Sequence, residues 1–130
     1  MNDNSLFFLC SLIEFIGRQQ KQRRGRIVEL LGENVIKRIY DYADVFHCEP
    51  IEKVADDFIL RCQIPMDDYD NVKCCRYEVP DYWEIGEVYE RLIEDLKKSS
   101  GKEMIDCIKE VYASWISDAI SNYNTDFYYQ

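Results

Sequence analysis

Two long amphipathic stretches with a three-residue break between them set the tightest limit on this chain. Between Tyr82 and Lys98, Ile85, Tyr89 and Leu92 recur at helical spacing. Between Lys102 and Tyr123, Met104, Ile105, Ile108, Val111, Tyr112, Trp115, Ile116, Ala119 and Ile120 do the same. Apolar residues three and four apart share one face of a helix, and the outer positions here are mostly Glu and Asp. Only Ser99, Ser100 and Gly101 lie between. A break this short turns two long helices into an antiparallel hairpin. Asp81, after Pro80, is placed to cap the first of them, and Glu84 three residues on completes a capping-box pattern.

The earlier part of the chain is also helical in pattern. Asn4 or Ser5 can cap a first helix in which Leu6, Cys10, Ile13 and Ile16 form one stripe. Phe7, Phe8, Leu9 and Leu12 widen that stripe, which puts this helix at the centre of the molecule. It is expected to end near Gly25. A short helix over Arg26–Leu31 then stops at Gly32, and a third runs from about Glu33 to Phe46. Pro50 opens a fourth, faced by Ile51, Val54, Ala55, Phe58 and Ile59, and Pro65 ends it. Gln63 to Val79 is expected to be an irregular loop with a short strand near Cys74–Val79. The chain has no repeat and no linker. The expectation is one all-α domain over residues 1–130, a bundle of five to six helices ending in the hairpin.

Charge narrows the partners. The 130 residues carry a net charge of −9, which repels phosphate backbones and anionic membranes. The charge is uneven. Arg18, Lys21, Arg23, Arg24 and Arg26 form a basic stretch with no acid, whereas Tyr40 to Leu96 holds sixteen acids against five basic residues. Six cysteines invite a disulfide scaffold, but no signal peptide precedes them: Leu6 to Ile16 lacks a basic start and contains Glu14. No apolar run reaches the length of a membrane span. The expected setting is the reduced cytoplasm.

No motif for chemistry emerges. His47, Cys48, Cys62, Cys74 and Cys75 lack the paired-knuckle spacing of a zinc site, so no metal is expected. Asp67, Asp68 and Asp70, with Glu78, mimic half of a calcium loop, but Tyr69 and Val72 stand where a further ligand and the turn glycine belong. A solvated acidic turn is the plainer reading. His47 and Cys48 are neighbours, which on a helix point about 100° apart. Arg38 stands too far before His47 to form the pair of a helical ribonuclease. The glycines at 17, 25, 32, 86 and 101 are single, so no phosphate loop and no cofactor are expected. Paired carboxylates such as Glu87 with Glu90 or Glu94 read as solvated helix faces. The chain is therefore not expected to be an enzyme; one of unknown chemistry at His47 is the third alternative.

What remains is an acidic, aromatic surface suited to binding another protein. Asp70, Asp81, Tyr82, Trp83, Glu84, Glu87, Tyr128 and Tyr129 are the candidate contact residues, with Tyr69, Tyr89, Glu90 and Asp126 beside them. Aromatic anchors ringed by charge favour tight binding, and acidic surface steers toward basic partners. Trp83 is the sharpest case, because it falls off the Ile85–Tyr89–Leu92 stripe. The alternative is a nucleic-acid-associated regulator that uses Arg18, Lys21, Arg23, Arg24 and Arg26. Those side chains could equally pair with the chain's own acids. A homodimer would be indicated by an apolar strip left exposed on the first helix.

The segments SLFFLCSLIEFIG (Ser5–Gly17), IYDYADVFHCEPIEKVADDFI (Ile39–Ile59), YWEIGEVYERLI (Tyr82–Ile93) and SWISDAISNYNTDFYY (Ser114–Tyr129) together resemble a group of small uncharacterised helical bacterial proteins. Members of that group tend to be encoded beside ADP-ribosyltransferase-like toxin genes, in antitoxin-like arrangements. The resemblance implies a protein that binds and silences a toxin enzyme by covering a basic cleft. It carries no established active residues with it.

Overall fold

The computed structural model describes residues 3–73 and 81–114, and these are all-helical, with no strand among them. The elements are α1 (Asn4–Gln20), α2 (Arg24–Asp41), α3 (Ala43–Phe46), α4 (Ile51–Cys62), α5 (Tyr82–Ser100) and α6 (Met104–Tyr112). The expected strand at Cys74–Val79 and the hairpin positions from Trp115 to Tyr123 lie outside the described residues.

Helix α1 is the core element. It packs on α2, α3, α4 and α5, and α6 closes over α2 and α5. Leu6, Leu9, Leu12, Ile13 and Ile16 have no exposed surface. Full burial of one such side chain is worth about 1.5–3 kcal/mol, so this helix anchors the domain. Its cap is Asp3, not Asn4 or Ser5: Asp3 Oδ1 accepts from Leu6 N–H at 3.0 Å. Its other end comes earlier than Gly25. Lys21 takes a left-handed backbone (φ 54°), and the chain turns there.

Helix α2 contains Gly32 at φ 80°, which breaks it into two segments at the residue expected to stop the short helix. The stretch read as one helix from Glu33 to Phe46 is divided at Tyr42, where φ −113° and ψ 22° leave the helical region. Pro50 precedes α4 as expected. Asp81 caps α5, accepting from Glu84 N–H at 2.9 Å. After the Gly101–Glu103 turn, α6 packs on α5 but closes at Tyr112, short of the unbroken run to Tyr123 expected from the apolar pattern. Where α1 crosses α5 the backbones nearly touch: a Cβ built on Gly86 would lie 2.8 Å from Ser11 N and Cα.

Candidate functional site

The basic stretch is paired with the molecule's own groups, with Arg24 buried and Arg23 and Arg26 exposed. Arg24 is buried at the start of α2 and grips Glu14 of α1 at two points: Nε to Oε1, and Nη2 to Oε2 at 3.0 Å. Arg18 Nε adds a bond to Glu14 Oε2 at 2.8 Å. Burial works to raise the Glu14 carboxyl, but the Arg24 and Arg18 guanidiniums outweigh it and hold it below the usual carboxylate range. Lys21 Nζ lies 3.5 Å from Asp70, Arg26 pairs with Glu29, and the Arg23 guanidinium stacks 4.2 Å from the Tyr69 ring centre. Arg23, Arg24 and Arg26 also border a cavity of about 380 Å³ beside Tyr69 and Ser114.

The acidic loop serves as the cap of α1. Asn71, buried, donates from Nδ2 to Gly17 O at 3.1 Å and to Gln22 O at 2.8 Å. Asp67 N–H and Tyr69 N–H donate to Gln20 O and Lys21 O. The Gln20 and Gln22 amides answer with bonds to Ile64 O and Pro65 O. These contacts satisfy carbonyls that a helix C-terminus leaves open. Asp70 stabilises the same loop. The Lys73 and Val72 N–H groups, then Lys21, hold its carboxyl below the ordinary range. Asp67 and Asp68 are exposed.

The remaining partner-binding candidates gather on one side of α1 and α5. Trp83 is half-buried, with its ring 5.5 Å from Phe7, 5.9 Å from His47 and 5.1 Å from Tyr82. Tyr82 meets the edge of Phe15 at 5.0 Å. Asp81 and Glu84 are exposed beside them, and Glu87 pairs with Arg91 at 2.6 Å. Three elements build this cluster: α1 supplies Phe7 and Phe15, α5 supplies Tyr82 and Trp83, and His47 follows α3. Tyr89 does not belong to it. It is fully buried, stacked 4.2 Å from Tyr112. Tyr128 and Tyr129 lie outside the described residues.

His47 packs its ring on Phe8 at 5.4 Å and shares a cavity of about 280 Å³ with Ser5, Asp44 and Cys48. Cys48 Sγ bonds back to Asp44 O at 3.3 Å. Among the described residues, no group of three His, Cys, Asp or Glu side chains is placed to hold a metal ion. Cys10 and Cys107 are buried, and burial pushes the Cys10 thiol up to about 12, which keeps it protonated and inert.

A second acidic group escaped the sequence reading. Glu90, taken for a solvated face, is buried, and burial with its bond to Glu94 pushes its carboxyl up to about 7. The signal was present: Gly86, Glu90 and Ile93 share the helical face that also carries Val88 and Tyr89 inward.

Comparison with protein-family models, with curated proteins and with solved structures returned no match to this chain. The chain is acidic, its described residues are all-helical, and no described helix is long and apolar enough to cross a membrane.

Proposed function

We propose that this protein acts by binding another protein, as an antitoxin-like inhibitor or regulator, through the aromatic cluster at the junction of α1 and α5. The observation that carries this reading is the half-buried group Phe7, Tyr82 and Trp83, set beside the acids Asp81, Glu84 and Glu87. Partly exposed Trp and Tyr anchors beside carboxylates suit a cationic partner segment, which gains both ring contacts and ion pairs. The partner would be an enzyme with a basic cleft, and Tyr128 and Tyr129 would extend the contact. In this reading the protein is one cytoplasmic domain whose last two described helices, α5 and α6, pair as an antiparallel hairpin.

The test is charge reversal of Asp81, Glu84 and Glu87 together, with Asp81→Asn first checked for its effect on the α5 cap. Loss of co-purification with a stoichiometric partner, with helicity retained, supports the surface. Unchanged capture refutes it.

A second reading rests on the cavity bordered by Arg23, Arg24 and Arg26. Contact with nucleic acid there predicts affinity that falls steeply with salt. It also predicts a loss of binding in Arg23→Gln and Arg26→Gln. Arg24 is a poor probe, because its removal takes two bonds from the buried Glu14 carboxylate.

A further inference from the structure

His47 stands at the rim of the aromatic cluster with rings of two helices against it. It is the one histidine of the chain, and it is exposed. The base of its side chain is fixed. His47 follows α3 with a helical backbone (φ −67°, ψ −16°), and its N–H donates to Ala43 O at 2.8 Å. Its ring lies 5.4 Å from Phe8 of α1, tilted by 42°, and 5.9 Å from Trp83 of α5, tilted by 49°. It also borders the cavity of about 280 Å³ shared with Asn4, Ser5, Asp44 and Cys48, so solvent protons reach the imidazole.

Imidazole is the side chain that ordinarily changes charge between pH 5 and pH 8. An aromatic ring attracts a cation lying within about 6 Å of its centre. A protonated His47 therefore places its charge where Trp83 can hold it. The charged groups of the elements packed here favour that charge. Beside His47 itself, Asp44 is exposed, Glu49 pairs with Lys53 of α4, and the Cys48 thiol bonds to Asp44 O. On α1, Asp3 accepts from Leu6 N–H and Tyr40 OH. On α2, Asp41 is exposed and the Arg38 guanidinium lies 6.0 Å from the Tyr42 ring centre. On α5, Glu84 is exposed and Glu87 pairs with Arg91. Acids outnumber cations in this set, and Lys53, Arg38 and Arg91 are each engaged elsewhere than on Trp83.

We propose that His47 gates the aromatic cluster by its charge. Neutral, it leaves Trp83 open to a cationic segment of a partner protein. Protonated, it supplies a cation of its own to that ring and repels the segment. The inference rests on the cluster being the docking surface, and it adds that mild acid releases what is docked. Asp81, Glu84 and Glu87 draw a cationic segment toward the rings. A histidinium beside Trp83 screens those acids and competes for the same ring. His47→Arg mimics the closed state and His47→Gln the open one.

The test uses the full chain carrying Trp115→Phe, which leaves Trp83 as the only tryptophan. Trp83 emission is followed from about pH 8 to pH 5, beside the ring-proton NMR signals of His47. The affinity of an arginine heptapeptide is measured at about pH 7.5 and pH 5.5, at constant ionic strength. The emission is expected to fall in step with the His47 signals, and His47→Gln to remove that fall. The peptide is expected to bind about threefold more weakly at the lower pH. In His47→Gln that loss should vanish, and His47→Arg should bind weakly at both. Emission that stays flat while the His47 signals move, or an equal loss of affinity in His47→Gln, overturns the gate and leaves the docking surface standing. A peptide that fails to bind at the higher pH overturns the docking surface, and the gate with it.

Discussion

Glu14 of α1 and Arg24 of α2 meet inside the core as a two-point ion pair, each side chain 2% exposed. Such a pair costs desolvation to form, so its net worth is small, but removing Glu14 takes this carboxylate away from the buried Arg24 and from Arg18 at once. Glu14→Gln is expected to destabilise by about 3–5 kcal/mol, measured by urea unfolding at neutral pH. Glu14→Leu with Arg24→Met together should cost far less. A double variant as unstable as the single one would show that the charge pair is not the reason.

Gly86 marks the closest approach of α5 to α1. An added Cβ would meet Ser11 backbone at 2.8 Å and its Oγ at 2.2 Å. The hydroxyl can rotate away, but the backbone atoms cannot. Gly86→Ala should therefore push the helices apart and cost about 1–3 kcal/mol, despite alanine's better helix propensity. A thermal melt that rises in this variant would mean that the crossing is slack.

Asn71 holds two carbonyls at the end of α1, Gly17 O and Gln22 O. Asn71→Ala leaves Gln22 O short of a donor, while Gly17 O keeps the Gln22 N–H, with an expected loss of about 1–3 kcal/mol. The damage should be local. Amide exchange at Asp67 and Tyr69, which bond to Gln20 O and Lys21 O, should quicken more than exchange in the middle of α1.

The same residues explain what could be read from the chain and what could not. Helix existence was legible wherever a local device repeats the periodic pattern: Gly32 at its break, Pro50 before α4, Asp81 at the α5 cap. The end of α1 was not, because Lys21 takes a left-handed backbone without glycine. Asn71 and its loop, fifty-odd positions away, supply the cap instead, and no local signal records that. The basic stretch was legible only in part for a related reason. Its charge is visible in sequence, but its internal partners Glu14 and Asp70 are set only by packing. The aromatic cluster was half legible: Trp83 off the main stripe pointed outward, while its contacts with Phe7 and His47 needed the fold.

Two buried carboxyls now set opposite pH responses. Glu14 is lowered from its ordinary 4.5, so its contribution to stability is present above that value and lost as pH falls through the lower folded one. Glu90 is raised from 4.5 to about 7, so its contribution is complete below 4.5 and is lost as pH rises through 7. Stability should therefore peak on the acid side of neutrality and decline toward alkaline pH. Glu90→Gln removes the second limb. Relative to wild type it should gain stability as pH rises from about 5 to 8, by ~2 kcal/mol, because each pH unit of unequal proton binding is worth about 1.4 kcal/mol. Denaturant melts at those two pH values decide it. A wild-type profile that stays flat, or a Glu90→Gln offset that does not change with pH, would mean that Glu90 enters the folded state already ionised.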